Sequence, residues 1–282
     1  NGSGRTFQVN NSVAPGAAVD LDITATVIGG ASYSITKSGT GVMRLSSSNS
    51  FDGALYISDG SGTVIASHPQ ALGNPTAGRA LTVGSSCSLV FDGSKGNITV
   101  PALYTNVFLN GAGDYLIGPI RGELVNWSGT NTVPSTVSLL SGSYIASLGG
   151  KLVLSGMITN LQDLSVYGGG DTELSGPILT GARALNKNGA GTLTLSGTAT
   201  NLFSGTTTVN AGTLLLAKAN GTTPVNAIGD GVLTVNNGAT PSKTSVILGA
   251  LAPTNMNQLF SGNLSVNGGA FLFNNLSWSD FT

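Results

Sequence analysis

The chain has 282 residues, 40% of them hydrophobic but only 8% charged, with a formal net charge of −1. That balance excludes long-range attraction to nucleic acid or acidic membrane, and it is not the high-charge, low-hydrophobicity composition of disordered chains. Polarity comes instead from Ser, Thr and Asn, punctuated by 42 glycines, which points to an ordered, turn-rich β structure.

The opening residues, NGSGRTFQVNN, lack a basic-then-apolar secretion signal, so the sequence reads as mature or excised from something longer. No apolar run approaches the roughly 18 residues of a membrane helix. Asp20 and Asp22 stand two apart, which on a strand places both carboxylates on one face. From Lys37 runs KSGTGVMRLSSSNSFDGALYISDGSGTVIAS, whose short alternating segments bounded by Gly, Asn and Ser carry the strand signature. The one histidine, His68, lies in IASHPQALG, which reads as a surface loop rather than a catalytic base. Cys87 in SSCSLVF has no partner for a disulfide or a metal and reads as a small strand residue. The middle continues as strand then turn: SLVFDG, NITV, NVFLNG, YLIGPI, GELVNWSG, STVSLLSG, GKLVLSG and DLSVYGGG. Glycine clusters at 111–114, 149–152 and 168–171 lack the strand-to-helix context of nucleotide loops and read as turns. Only 251–262, LAPTNMNQLFSG, suggests a short helical turn.

At Lys187 the pattern returns as KNGAGTLTLSGTATNLFSGTTTVNAGTLLLA. Lys37, Gly39, Gly41, Met43 and Leu45 match Lys187, Gly189, Gly191, Leu193 and Leu195 at constant spacing. Phe51 and Gly53 then correspond to Phe203 and Gly205, and Gly62 to Gly212. Downstream, ALG at 71–73 aligns with AIG at 227–229, and LTV at 81–83 with LTV at 233–235. Upstream, Asp20 and Asp22 align with Asp171 and Glu173, and Ile28 and Ile35 with Ile178 and Leu185. Two related units, at about 17–100 and 168–250, are therefore expected within a single domain spanning 1–282. A unit that cannot bury its apolar face alone and recurs along the chain predicts an all-β solenoid.

The stretch from Lys187 resembles the autotransporter-associated β-strand repeat, also called the passenger-associated transport repeat. The shared pattern is Gly-x-Gly-x-Leu-x-Leu-x-Gly, then a Phe-x-Gly turn, then a Thr-Val-Asn-x-Gly-Thr-Leu segment. The first copy departs from it at Met43, at Ser47 and in the enlarged turn at Asp59-Gly60-Ser61. The resemblance implies a right-handed parallel β-helix in a surface or secreted bacterial passenger, with architectural rather than catalytic motif residues. At roughly 20–25 residues per coil, a rod of about 11–14 coils is expected.

The acidic pairs are the candidate chemical groups, because parallel β-helix enzymes that degrade polysaccharides use acidic clusters on such faces. Their recurrence with the repeat favours a solvated or salt-bridged face, with Lys37 and Lys187 as cross-coil partners, over catalysis or calcium binding. Seven Asn-x-Ser/Thr sites are no more than this composition yields by chance. Trp127 and Trp278 could stack on sugars, but core or corner packing is the favoured reading. The expectation is an extracellular structural or adhesive scaffold without catalytic, cofactor-binding or metal-binding residues. Its expected partners are other copies through open solenoid ends, or neighbouring repeats of a longer chain, with surface glycans as a further possibility. The alternative is a carbohydrate-active β-helix protein.

Overall fold

Runs such as Thr192-Leu193-Thr194-Leu195 put leucines on one face and threonines on the other, so each strand can bury only half of itself. Stacking one coil on the next solves both the burial and the backbone pairing. A computed structural model describes residues 4–12, 19–30, 33–58, 60, 62–75, 78–114, 122–160, 162–179, 181, 183–219, 225–229, 231–236, 245–248, 264–267 and 270–273. These residues form a parallel β-solenoid with three sheets. The first sheet has seven strands, from Arg5–Gln8 to Ile158–Asn160. The second has eleven, from Leu21–Ile23 to Leu264–Asn267, and the third seven, from Thr130–Val133 to Ala270–Phe273. Every strand pairing is parallel. The 251–262 segment lies outside the described residues, among which the one helical element is a 3-10 turn at Gly93–Lys95.

Eleven strands in one sheet mean eleven stacked coils, which at about 4.8 Å per step span roughly 50 Å. Leu164 pairs with Leu185, a step of 21 residues, whereas Leu89 pairs with Leu124, a step of 35. Most of the added length of that step falls between Leu109 and Leu124, which end and begin strands of the first and second sheets. In the second sheet Met43, Val64, Leu89, Leu124, Ile145 and Val166 are register partners and all buried. Each such side chain contributes about 1.5–3 kcal/mol relative to exposure, so the core is a continuous axial column.

The two similar segments do not occupy the same walls. In the first, Ile35–Ser38 belongs to the first sheet and Val42–Leu45 to the second. In the second, Leu185–Lys187 belongs to the second sheet and Thr192–Leu195 to the third. Middle coils contribute to all three, as with Tyr104–Leu109, Leu124–Ser128 and Thr130–Val133. The recurring unit is thus an arc of strand, glycine corner and strand that can be seated at either of two corners.

The corner between the second and third sheets is a column of glycines: Gly129, Gly150, Gly170, Gly191 and Gly212. A β-carbon on any of the last four would come within 3.0 Å of the coil before it. Gly39 and Gly212 also need left-handed backbone, at φ +80 and +67. Gly41, Gly53, Gly189, Gly191 and Gly205 do not; each instead clears a carbonyl of the preceding coil. At most of the recurring glycines, therefore, clearance rather than positive φ is the requirement. Beside this corner runs an asparagine ladder, in which the amides of Asn210, Asn236 and Asn267 donate to Asn188, Asn210 and Asn236 at 2.7, 2.7 and 3.2 Å.

Candidate functional site

The acidic pairs are hydrogen-bonded in the same way in both copies. Asp20 Oδ2 accepts from the Val42 N–H at 2.7 Å, and Asp171 Oδ1 from the Thr192 N–H at 3.0 Å, each capping the strand of the next coil. Asp22 accepts from the Ser46 hydroxyl at 2.6 Å, and Glu173 from the Ser196 hydroxyl at 2.5 Å. The ion pairs are Arg44 with Asp22 and Lys151 with Glu173. No group of three metal-ligating side chains forms among the described residues.

Lys37 and Lys187 do not pair with these acids, contrary to the expectation from sequence. They are 0% and 2% exposed, and both point into the solenoid. Lys37 Nζ donates to the Gly39 carbonyl, and Lys187 Nζ to Gly189 and, at 3.0 Å, to Ala211 of the following coil. The lysine of the motif is thus a buried cation that satisfies a corner carbonyl in both copies, and at Lys187 it also ties one coil to the next. Burial lowers the pKa of Lys37 and brings Lys187 down to about 8.

A second recurring device had gone unread in the sequence. Asn49 Oδ1 accepts from Val27 N–H at 2.8 Å while its amide donates to Ala71 O at 2.7 Å. Asn201 does the same with Ile178 N–H at 2.9 Å and Ala227 O at 2.6 Å. Each buried asparagine therefore bridges the coil before and the coil after its own. Its signal was an asparagine two residues ahead of Phe51 and of Phe203. The device also sets the upstream alignment: Val27, not Ile28, is the counterpart of Ile178, and Ile28 is exposed.

Three further titratable groups, Cys87, Asp114 and Glu123, lie at the corner between the first two sheets. Cys87 is buried and its Sγ donates to Ser58 O at 2.8 Å. Asp114 accepts from the Thr63 hydroxyl at 3.1 Å, and its N–H donates to Ser88 Oγ at 2.9 Å, so Asp114 itself lies back against earlier coils. Glu123 is buried, accepts from the Asn110 N–H, and is pushed up to about 8 by desolvation.

Opposite linkages follow. Between about 4.5 and 8 the folded chain holds a proton on Glu123 that the unfolded chain releases, so its contribution is present at low pH and lost towards 8. Between about 8 and 10.5 the unfolded chain holds protons that Lys187 and Lys218 lack when folded, so stability rises with pH. Urea melts across the pH range are expected to show a stability minimum near pH 8. Glu123→Gln should remove the acidic limb, and Lys187→Met should shrink the alkaline one.

His68 is half-buried in its loop, its Nδ1 accepting from Gln70 N–H at 3.1 Å. Asn126, in one of the seven Asn-x-Ser/Thr sites, is buried and donates to Gly149 O at 2.6 Å, which removes it as a glycan acceptor in the folded chain. Trp127 is not packed in the core or a corner: it projects outward and is 44% exposed. It emerges where the register between Ser88–Asp92 and Leu124–Ser128 shifts, a feature of the pairing that periodicity alone does not reveal. Trp278 lies outside the described residues.

The family model of the passenger-associated transport repeat matches residues 35–65 and again 185–216. Each match encloses two stacked arcs and the return segment that carries the bridging asparagine and the Phe-x-Gly turn. No curated protein and no solved structure matches the chain.

Proposed function

We propose that this chain, which carries two matches to the passenger-associated transport repeat on one parallel stack, is a passenger-type β-solenoid that serves as an extracellular scaffold with adhesive duty, extended end to end. The observation that carries the reading is the uninterrupted eleven-strand sheet on which both repeats sit. A structural rather than catalytic role is supported by the acidic pairs, whose oxygens are engaged in the same architectural contacts in both copies.

End-to-end extension is supported by the first coil. Arg5–Gln8 pairs on one side with Ile35–Ser38, and Arg5 and Val9 donate to Ser34 and Ser38. By alternation, the N–H groups of Thr6 and Gln8 face the other way, where no described strand pairs with them. Beside this edge Phe7, Val27, Ile28, Tyr33 and Phe51 line an apolar mouth of about 560 Å3. A coil from a second copy would pair the edge and cover the mouth, and repeated contacts of that kind generate filaments.

Electron microscopy and sedimentation of the purified chain test this. Concentration-dependent filaments are expected, with Thr6→Pro blocking growth while leaving the β-sheet circular dichroism intact. Isolated short rods at every concentration would exclude self-assembly and leave only the monomeric scaffold.

A further inference from the structure

On the outward side of the second sheet Ile65, Val90, Val125 and Ala146 form a second apolar cluster, buried and separate from the axial core. At its margin the pairing slips by one residue, and Trp127 is the extra residue. Bulges re-aim side chains, and this one presents an indole to solvent.

Around the indole, Arg44, Ile65, Asp92 and Ser128 close a pocket of about 280 Å3. That is at the small end of the roughly 300–1,000 Å3 typical of ligand sites, room for one ring rather than an extended molecule. Its polar groups are fixed in place. Asp92 Oδ1 accepts from the Ser128 hydroxyl at 2.9 Å and from Ser94 N–H at 3.2 Å. Arg44 is held by Asp22, its Nη1 3.6 Å from Oδ2, while its Nε is buried and bonded to nothing. The pocket thus combines a flat apolar wall, an anchored carboxylate, an anchored hydroxyl and a guanidinium held by Asp22.

We propose that this pocket binds a single neutral hexose ring of a glycan. The ring's C–H face packs on Trp127, and neighbouring hydroxyls bridge the Asp92 carboxylate and the Arg44 guanidinium. A neutral ring is specified because two carboxylates, Asp22 and Asp92, flank the one cation, leaving the site net negative and unfavourable to uronic acids, sulfates and phosphates. This site goes beyond the scaffold reading and stands whether or not the chain assembles.

Saturation-transfer NMR on the whole chain tests it, using methyl α-mannoside, methyl β-galactoside, methyl β-glucoside and methyl β-glucuronide as probes. Transfer to the ring C–H protons of at least one neutral hexoside is expected. Trp127→Ala should weaken binding about tenfold, and Trp127→Tyr should restore part of it. Asp92→Asn keeps the oxygen that Ser94 and Ser128 use but loses the charge, and should also weaken binding while the thermal melt stays in place. No transfer to any neutral hexoside, transfer unchanged by both Trp127→Ala and Asp92→Asn, or a preference for the glucuronide would overturn the proposal.

Discussion

Gly191→Val is expected to be among the most damaging single substitutions in the chain, lowering stability by about 3 kcal/mol or more. Even the first added carbon would fall inside the van der Waals radius of the Gly170 carbonyl, a backbone atom that cannot swing away. Moving it would displace the column above and below, because Gly212 is seated on Gly191 in the same manner. Gly142→Ala is the matched control, since a β-carbon there meets nothing within 4 Å. That change should be neutral or stabilising by about 0.4–1 kcal/mol, through the entropy of the unfolded chain. Chemical melts of the two variants check the contrast. Equal and small losses at both positions would mean that the corner yields to a side chain and that clearance is not what requires glycine at 191.

Asn201→Leu should cost about 2–5 kcal/mol, because it strands two buried backbone groups, Ile178 N–H and Ala227 O, each at about 1–3 kcal/mol. Leucine has the branching and heavy-atom count of asparagine, so no cavity is left, and Asn201→Ala alongside it separates lost hydrogen bonds from the crowding of the two bulkier methyl groups. Hydrogen exchange should accelerate first in the strands flanking that return segment, Thr192–Leu195 and Thr207–Val209. Asn49→Leu should behave alike around Val27 and Ala71. The two positions are six rungs apart, roughly 29 Å, so the double variant should show additive losses in melts.

What could be read from sequence was whatever repeats with a period. The matching anchors at Lys37 and Lys187 and the alternating leucines specify stacked strands, because burial on one face and parallel pairing leave few other solutions. What could not be read were relations between one coil and the next. Gly191 carries no mark that distinguishes a corner in need of left-handed backbone from one in need of space. Lys187 looked like an ion-pair partner for Asp171 because charge is visible in sequence, whereas the direction in which a side chain leaves a strand end is not. Asn201 was hidden among many asparagines, and only its fixed distance from Phe203, echoed by Asn49 and Phe51, set it apart. Trp127 was visible as a residue that could stack on a sugar, but packing was the favoured reading, because the bulge that turns it outward exists only relative to its neighbouring strand.

The seating of the two arcs at different corners has a genetic consequence. Unequal crossing-over between the two matching segments would join the chain before Lys37 to the chain after Lys187, placing an arc from one corner at another. In a repeat tied to particular walls, such a recombinant would misplace every residue beyond the junction. Here the corner asks only for a lysine, close-packed glycines and alternating large apolar residues, which both copies supply as Met43 and Leu45 or Leu193 and Leu195. Length can therefore change by exchange between copies without first being matched to a whole number of identical turns, which gives such a rod an easy route to growing or shortening over generations.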